Sequence, residues 1–128
     1  MINDFWNSFI DKSFEDLKKF DTLSRAEQQG AVLYEFYSES ASGDGYEHFF
    51  SDLQYFGVDF DYAKELLVQL ISDDKKLVKS YDKAKKYYDK KGEDGYYEKY
   101  SKYYVLRDKF LEEVINQFIQ NNIELYNK

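Results

Sequence analysis

Cysteine and proline are both missing from the 128 residues, and histidine, methionine and tryptophan occur once each. Without cysteine there is no disulfide framework, no thiolate zinc site and no cysteine nucleophile. A single histidine excludes multi-histidine metal sites. Glycine stands only at positions 30, 43, 45, 57, 92 and 95, so few places can stop a helix. The longest apolar runs, 31–34 and 103–106, are four residues, against the roughly 20 that a membrane-spanning helix needs. Near the amino terminus Asp4 stands where a secretion signal carries bases, and no apolar stretch follows. A cytoplasmic protein is expected. Bases are also in deficit: 18 Lys and Arg against 25 Asp and Glu leave a net charge of −7. That argues against direct nucleic-acid binding by the whole protein, since a phosphate backbone is gripped by a positive footprint.

What is present is apolar and aromatic. Hydrophobic residues make up 43% and aromatics 20% of the chain, enough for one domain with its own core. Trp6, Ile10, Phe14, Leu17 and Phe20 recur at steps of three and four, predicting an amphipathic helix that ends near Asp21. Ser24-Arg25-Ala26-Glu27 is a capping-box pattern and predicts a second helix, with Ala26, Gly30, Leu33 and Tyr37 on one face. Gly30, in mid-helix at a cost of roughly 1 kcal/mol, marks a close helix crossing. The polar segment 38–45 reads as a loop. A short aromatic helix follows from Tyr46 to a stop at Gly57, and Asp59 or Asp61 caps a fourth helix with Phe60, Ala63, Leu67 and Leu70 inward. Leu77, Tyr81, Ala84 and Tyr88 form the next stripe, after an acidic start at Asp73 and Asp74. A last long helix over 96–126 turns Tyr100, Tyr104, Leu111, Ile115, Phe118 and Ile119 inward. The expected fold is all-α, a single compact domain of about six helices over 1–128.

Catalytic patterns are thin. His48, inside Tyr46-Glu47-His48-Phe49-Phe50, reads as a hydrogen-bonding residue of an aromatic helix. The pairs Asp11/Glu15, Glu35/Glu39 and Asp61/Glu65 have the helical spacing that can serve acid–base work or hold a divalent metal. No Glu-x-x-His, acidic calcium loop or glycine-rich phosphate cradle accompanies them. In a chain with 25 acids they read as solvated helix faces, and no enzyme, cofactor or metal is expected. Residues 1–72 hold 5 bases and 14 acids, net −9, while 73–104 hold 10 bases and 7 acids, net +3. In the second stretch lysines 75, 76, 79, 83, 85, 86, 90 and 91 interleave with Tyr81, Tyr87, Tyr88, Tyr96 and Tyr97. Lysine beside aromatics suits single-stranded nucleic acid. Asp82, Asp89, Glu93 and Asp94 dilute such a track, so a solvated lysine face over an inward tyrosine stripe is the expectation.

One segment, 31–71, carries a recognisable order of parts. Tyr34-Glu35-Phe36-Tyr37 ends a helix, Ser42-Gly43-Asp44-Gly45-Tyr46 turns the chain, and His48-Phe49-Phe50 opens the next helix. This resembles the signature of a bacterial domain family typified by a DNA-mimic protein, in which an Asn-Gly-Gly-Phe turn precedes a Gln and an aromatic pair. Residues 58–71 resemble that family's Ala/Leu-rich helix. Tyr103-Tyr104 with Asp108, and Phe118-Ile119 with Asn122, resemble its closing helix. Gly43-Asp44-Gly45-Tyr46 departs from the preferred turn, and His48 replaces the Gln. The motif also has a plain packing sense: Gly45 supplies a positive φ, and Tyr46, Phe49 and Phe50 plug the core behind it.

The resemblance implies a small helical protein that imitates DNA with surface carboxylates and occupies the DNA-binding face of a regulator. Carboxylates at i and i+4 lie about 5–6 Å apart, a charge row that a basic surface accepts with steered, salt-sensitive association. The candidates are Asp11, Glu15, Glu35, Glu39, Asp44, Glu47, Asp52, Asp59 and Asp61. The expected function is a non-enzymatic inhibitor of a basic DNA-binding protein. The alternative is an immunity or antitoxin-like protein that neutralises a basic toxin such as a nuclease. Fourteen Tyr and eleven Phe exceed what a small core hides, which puts a homodimer among the expected partners.

Overall fold

The computed structural model describes the backbone of residues 2–92 and 98–127 and the side chains of 5–92 and 99–127. The described residues form helices α1 (Ile2–Leu17), α2 (Arg25–Ser42), α3 (Gly45–Tyr55), α4 (Phe60–Ile71), α5 (Lys75–Lys91), α6 (Glu98–Ser101), α7 (Asp108–Asn121) and α8 (Ile123–Tyr126). Two 3-10 turns, Phe20–Thr22 and Tyr104–Leu106, join them. The fold is all-α, with no strand among the described residues. No helix among them is long and apolar enough to cross a membrane.

Helix starts follow the side chains that cap them. Ser24 Oγ accepts from the Glu27 amide at 3.2 Å while the Ser24 amide donates to the Glu27 carboxylate at 3.1 Å, completing the capping box of α2. Asp59 caps α4 through the Tyr62 amide, and Asp74 caps α5 through the Leu77 amide.

α2 is the hub, touching α1, α3, α4 and α7. Its Gly30 permits this: a Cβ there would lie 2.5 Å from the Tyr126 hydroxyl and 3.1 Å from the Phe118 ring, the close crossing that a mid-helix glycine predicts. Phe36 of α2 stacks on Tyr104 with centroids 4.3 Å apart, and Tyr46 stacks on Phe50 at 5.5 Å. Phe49 and Tyr81 fill the space between them. Such ring pairs add roughly 0.5–1.5 kcal/mol each to the area they bury. The tyrosines of this core keep a polar partner: Tyr46 with Ser80 Oγ at 2.7 Å, Tyr81 donating to the Phe60 carbonyl at 2.9 Å, and Tyr104 donating to the Phe36 carbonyl.

Three expectations are corrected. α1 turns Phe9, Ser13, Asp16 and Leu17 inward, and Phe14 is left 56% exposed, with the Lys18 ammonium 4.5 Å from its ring centroid. The predicted loop over 38–45 is helix as far as Ser42, because Ser40 Oγ donates to the Tyr104 carbonyl at 2.7 Å and ties that last turn into the core. Only Gly43 and Asp44 remain as the turn. The predicted helix over 96–126 is broken. Tyr104 enters the aromatic core at a 3-10 turn, and Asn122 turns its side-chain amide back to the Phe118 carbonyl, where α7 gives way to α8.

Gly45 is the position where conformation and space both demand glycine. Its φ is +74°, and a Cβ would lie 2.5 Å from Ser101 Oγ, the oxygen that accepts from the Tyr46 amide at 3.0 Å. Gly45→Ala is expected to lower stability by about 2–4 kcal/mol, the left-handed penalty plus the overpacking. Urea unfolding checks it against Gly43→Ala. Gly43 has φ +82° but open space around it, so it is expected to lose only the backbone part.

Candidate functional site

The turn from α2 to α3 brings two acidic stripes face to face. Glu35 and Glu39 lie one helical turn apart on α2. Asp44, His48 and Asp52 follow at steps of four along α3 from its N-cap. One carboxylate oxygen from each of Glu35, Glu39 and Asp52 lies within 4.8 Å of the other two, and Glu39 is also within that distance of Asp44 and His48. Glu35 and Glu39 are each only 9% exposed, and the Oε2 atom of each has no hydrogen-bond partner.

This departs from the solvated-face expectation for the Glu35/Glu39 pair. Burial, followed by the Asp52 carboxylate beside it, pushes the Glu35 carboxyl up to about 10. Burial and the Asp52 charge push Glu39 up to about 7. The other buried carboxylates contrast with these two. Asp16 lies 3.2 Å from Lys12 Nζ, and Asp74 accepts from Arg107 Nε at 2.7 Å. Among the described residues no Lys or Arg pairs with Glu35, Glu39 or Asp52. His48 stands beside the cluster, with its Nδ1 3.9 Å from Asp44 and a ring nitrogen within 4.8 Å of a Glu39 oxygen.

The remaining acidic candidates are scattered in a definite way. Asp11, Glu15, Asp44, Asp59 and Asp61 are exposed, and Glu47 and Asp52 are half-buried. Glu15 pairs with Lys18 at 3.4 Å on α1. Asp59 and Asp61 line one open cleft with Asp89, where Lys85 reaches Asp61 at 3.8 Å and Asp89 at 3.0 Å. The motif residues take the packing role. Gly43 and Gly45 hold positive φ, and Tyr46, Phe49 and Phe50 are fully buried, while His48 is exposed on the outer face of α3.

A second surface has the opposite sign. Lys76, Lys79, Lys83, Lys86 and Lys90 form one stripe of α5, and with Lys99 and Tyr100 they line adjoining grooves, the larger of about 530 Å³. The acids expected to dilute it face elsewhere: Asp82 meets Lys64 at 2.6 Å, and Asp89 meets Lys85. Glu93, Asp94, Tyr96 and Tyr97 lie outside the described residues. Tyr81 and Tyr88 are buried in the core, as an inward stripe predicts, and Tyr87 meets Tyr100 at 5.2 Å in the groove wall.

The large apolar side chains most exposed among the described residues are Phe14, Tyr55, Leu106 and Ile123. No family model matches the chain, and neither the curated proteins nor the solved structures yield a match.

Proposed function

We propose that the protein is a non-enzymatic binding module that offers an acidic surface to a basic, nucleic-acid-binding partner protein. One observation carries this reading: between Arg25 and Lys64 the chain has eight carboxylates and no Lys or Arg. Apart from Arg25 at the first position of α2, the helices built from that stretch, α2, α3 and the start of α4, therefore carry no Lys or Arg. Glu35 and Glu39 are withdrawn from this surface by burial. The acids that can meet a partner are Asp44, Glu47 and Asp59, with Asp61 partly neutralised by Lys85. Such rim charges steer encounter and give association a strong salt dependence.

The test is capture by the tagged protein from its own lysate at low salt and at about 0.5 M salt, where the screening length falls to about 4 Å. The expected result is a basic DNA-binding protein or nuclease held at low salt only, and lost when Asp44→Asn, Glu47→Gln and Asp59→Asn are combined. Asparagine is also a good helix cap, so α4 keeps its start in that variant. Capture that the triple variant leaves unchanged, or that high salt does not weaken, overturns the reading.

A further inference from the structure

Three features lie apart from the proposed partner surface: the lysine grooves beside α5, the cleft around Lys85, and the carboxylates enclosed between α2 and α3. The last is the one the rest of the molecule leaves unexplained. Of the four buried carboxylates among the described residues, Asp16 and Asp74 have a cationic side chain in contact, and Glu35 and Glu39 have none. Both are nine-tenths buried and keep one oxygen without a hydrogen-bond partner, and one carboxylate oxygen of each lies within 4.8 Å of the other and of one from Asp52 on the facing helix.

We propose that Glu35, Glu39 and Asp52 form a binding site for one divalent cation at the seam between α2 and α3. Oxygen ligands lie about 2.0–2.6 Å from such an ion, so two ligands of one ion are at most about 4–5 Å apart. The three oxygens already lie within 4.8 Å of one another, the spacing that ligands of a single ion require. An all-oxygen, carboxylate-rich set selects hard ions of the Mg²⁺, Mn²⁺ and Ca²⁺ type over those that prefer sulfur or imidazole. The site also has an approach from solvent. Asp44 and His48, both exposed, meet Glu39 on its outer side, and a negatively charged mouth draws cations inward.

Protonation is the competing way to quiet three clustered carboxylates, and it leaves a distinct trace. A single proton can bridge one pair of oxygens, whereas a divalent ion engages all three groups. The site stands on side chains other than those of the proposed partner surface, so either reading can fail without the other.

The experiment is a titration of the chelator-treated protein with Mn²⁺ alone, read by loss of the free-ion paramagnetic resonance signal and by the thermal midpoint. The expected result is one tightly held Mn²⁺ per chain and a midpoint that rises with Mn²⁺ concentration. Glu35→Gln and Asp52→Asn are each expected to weaken binding at least the roughly tenfold that loss of even an outer partner of a metal site costs. Circular dichroism confirms that each variant is folded, and if Glu35→Gln is not, Asp52→Asn carries the test. A free-ion signal undiminished by the protein at millimolar Mn²⁺ overturns the proposal. So does binding that both folded variants retain, which places the ion on surface carboxylates instead.

Discussion

Above pH 10 the protein is expected to unfold in one steep, cooperative transition rather than ionise its tyrosines one after another. Tyr46, Tyr81, Tyr104 and Tyr126 are at most 2% exposed, and burial raises the hydroxyl of each above the ordinary tyrosine value of 10.0. The nearby acids add to it: Asp82 and Asp74 around Tyr46, Glu39 and Glu35 around Tyr104, Asp16 and Glu27 around Tyr126. In the unfolded chain these hydroxyls lose their protons near pH 10, while in the folded chain they keep them. The stabilisation is therefore complete below pH 10 and declines as pH rises above it.

Each such group costs about 1.4 kcal/mol of stability per pH unit, so four together cost about 5 kcal/mol per unit. That is the size of a small domain's whole stability, about 5–15 kcal/mol. Tyr37 adds a smaller share. It is half-buried and pushed up to about 12 by desolvation first and then by the Glu112 carboxylate that accepts its hydrogen bond at 2.9 Å. Following phenolate absorbance and far-ultraviolet circular dichroism through the same alkaline titration checks this. The two signals are expected to change together for the buried group, after the exposed tyrosines have ionised with the helices intact. Tyr46→Phe should remove about one proton from the steepness of the transition. A gradual phenolate signal that reaches all fourteen tyrosines with unchanged helicity would contradict the expectation.

The same residues show how far the sequence can be read. Stripes with one strong inward face were legible: Leu77, Tyr81, Ala84 and Tyr88 are all buried along α5, and the Ser24 and Asp59 caps begin their helices as their side chains dictate. The inward face of α1 is rotated from the one its periodicity predicts, because Ser13 and Asp16 count as polar in any periodicity and yet are buried. Ser13 Oγ reaches the Gly30 carbonyl, and Asp16 is neutralised by Lys12. Segment 96–126 carried no proline and no glycine to announce its breaks. They are made instead by tertiary bonds to Tyr104 and by the Asn122 side chain, which propensity does not register.

The acidic seam was half legible. An i, i+4 pair of glutamates is a signal, but the carboxylate that meets it, Asp52, is seventeen residues beyond Glu35 on another helix. Only the tight turn at Gly43 and Asp44 brings the stripes together. The sign of the seam also follows from that turn. With no Lys or Arg between Arg25 and Lys64, the carboxylates that this turn brings together find no cationic side chain within their own stretch. In α5 the reverse holds, since the acids interleaved with its lysines find Lys64 and Lys85 on another face.

Asp74→Ala is expected to be among the most destabilising single substitutions, at about 3–5 kcal/mol, because one buried carboxylate holds three elements together. Asp74 is 8% exposed. It accepts from the Leu77 amide at 3.1 Å as the cap of α5, from the Tyr103 hydroxyl at 3.1 Å, and from Arg107 Nε at 2.7 Å at the start of α7. Alanine leaves an orphaned helix amide, a phenol without its acceptor and a guanidinium deprived of its counter-charge. Arg107 also lies over the rings of Tyr103 and Phe110, at 5.2 and 5.0 Å, so losing the pair loosens those contacts as well. Asparagine separates these contributions. It caps a helix nearly as well as aspartate but cannot balance Arg107, so Asp74→Asn is expected to lose the charge-assisted part, about 1.5–3 kcal/mol. Urea unfolding of the two variants beside Arg107→Ala closes a cycle: if Asp74 and Arg107 act as a pair, the double variant Asp74→Ala/Arg107→Ala loses clearly less than the sum of the singles. Additive losses would mean that Asp74 acts chiefly as the cap of α5, with the 2.7 Å contact to Arg107 contributing little.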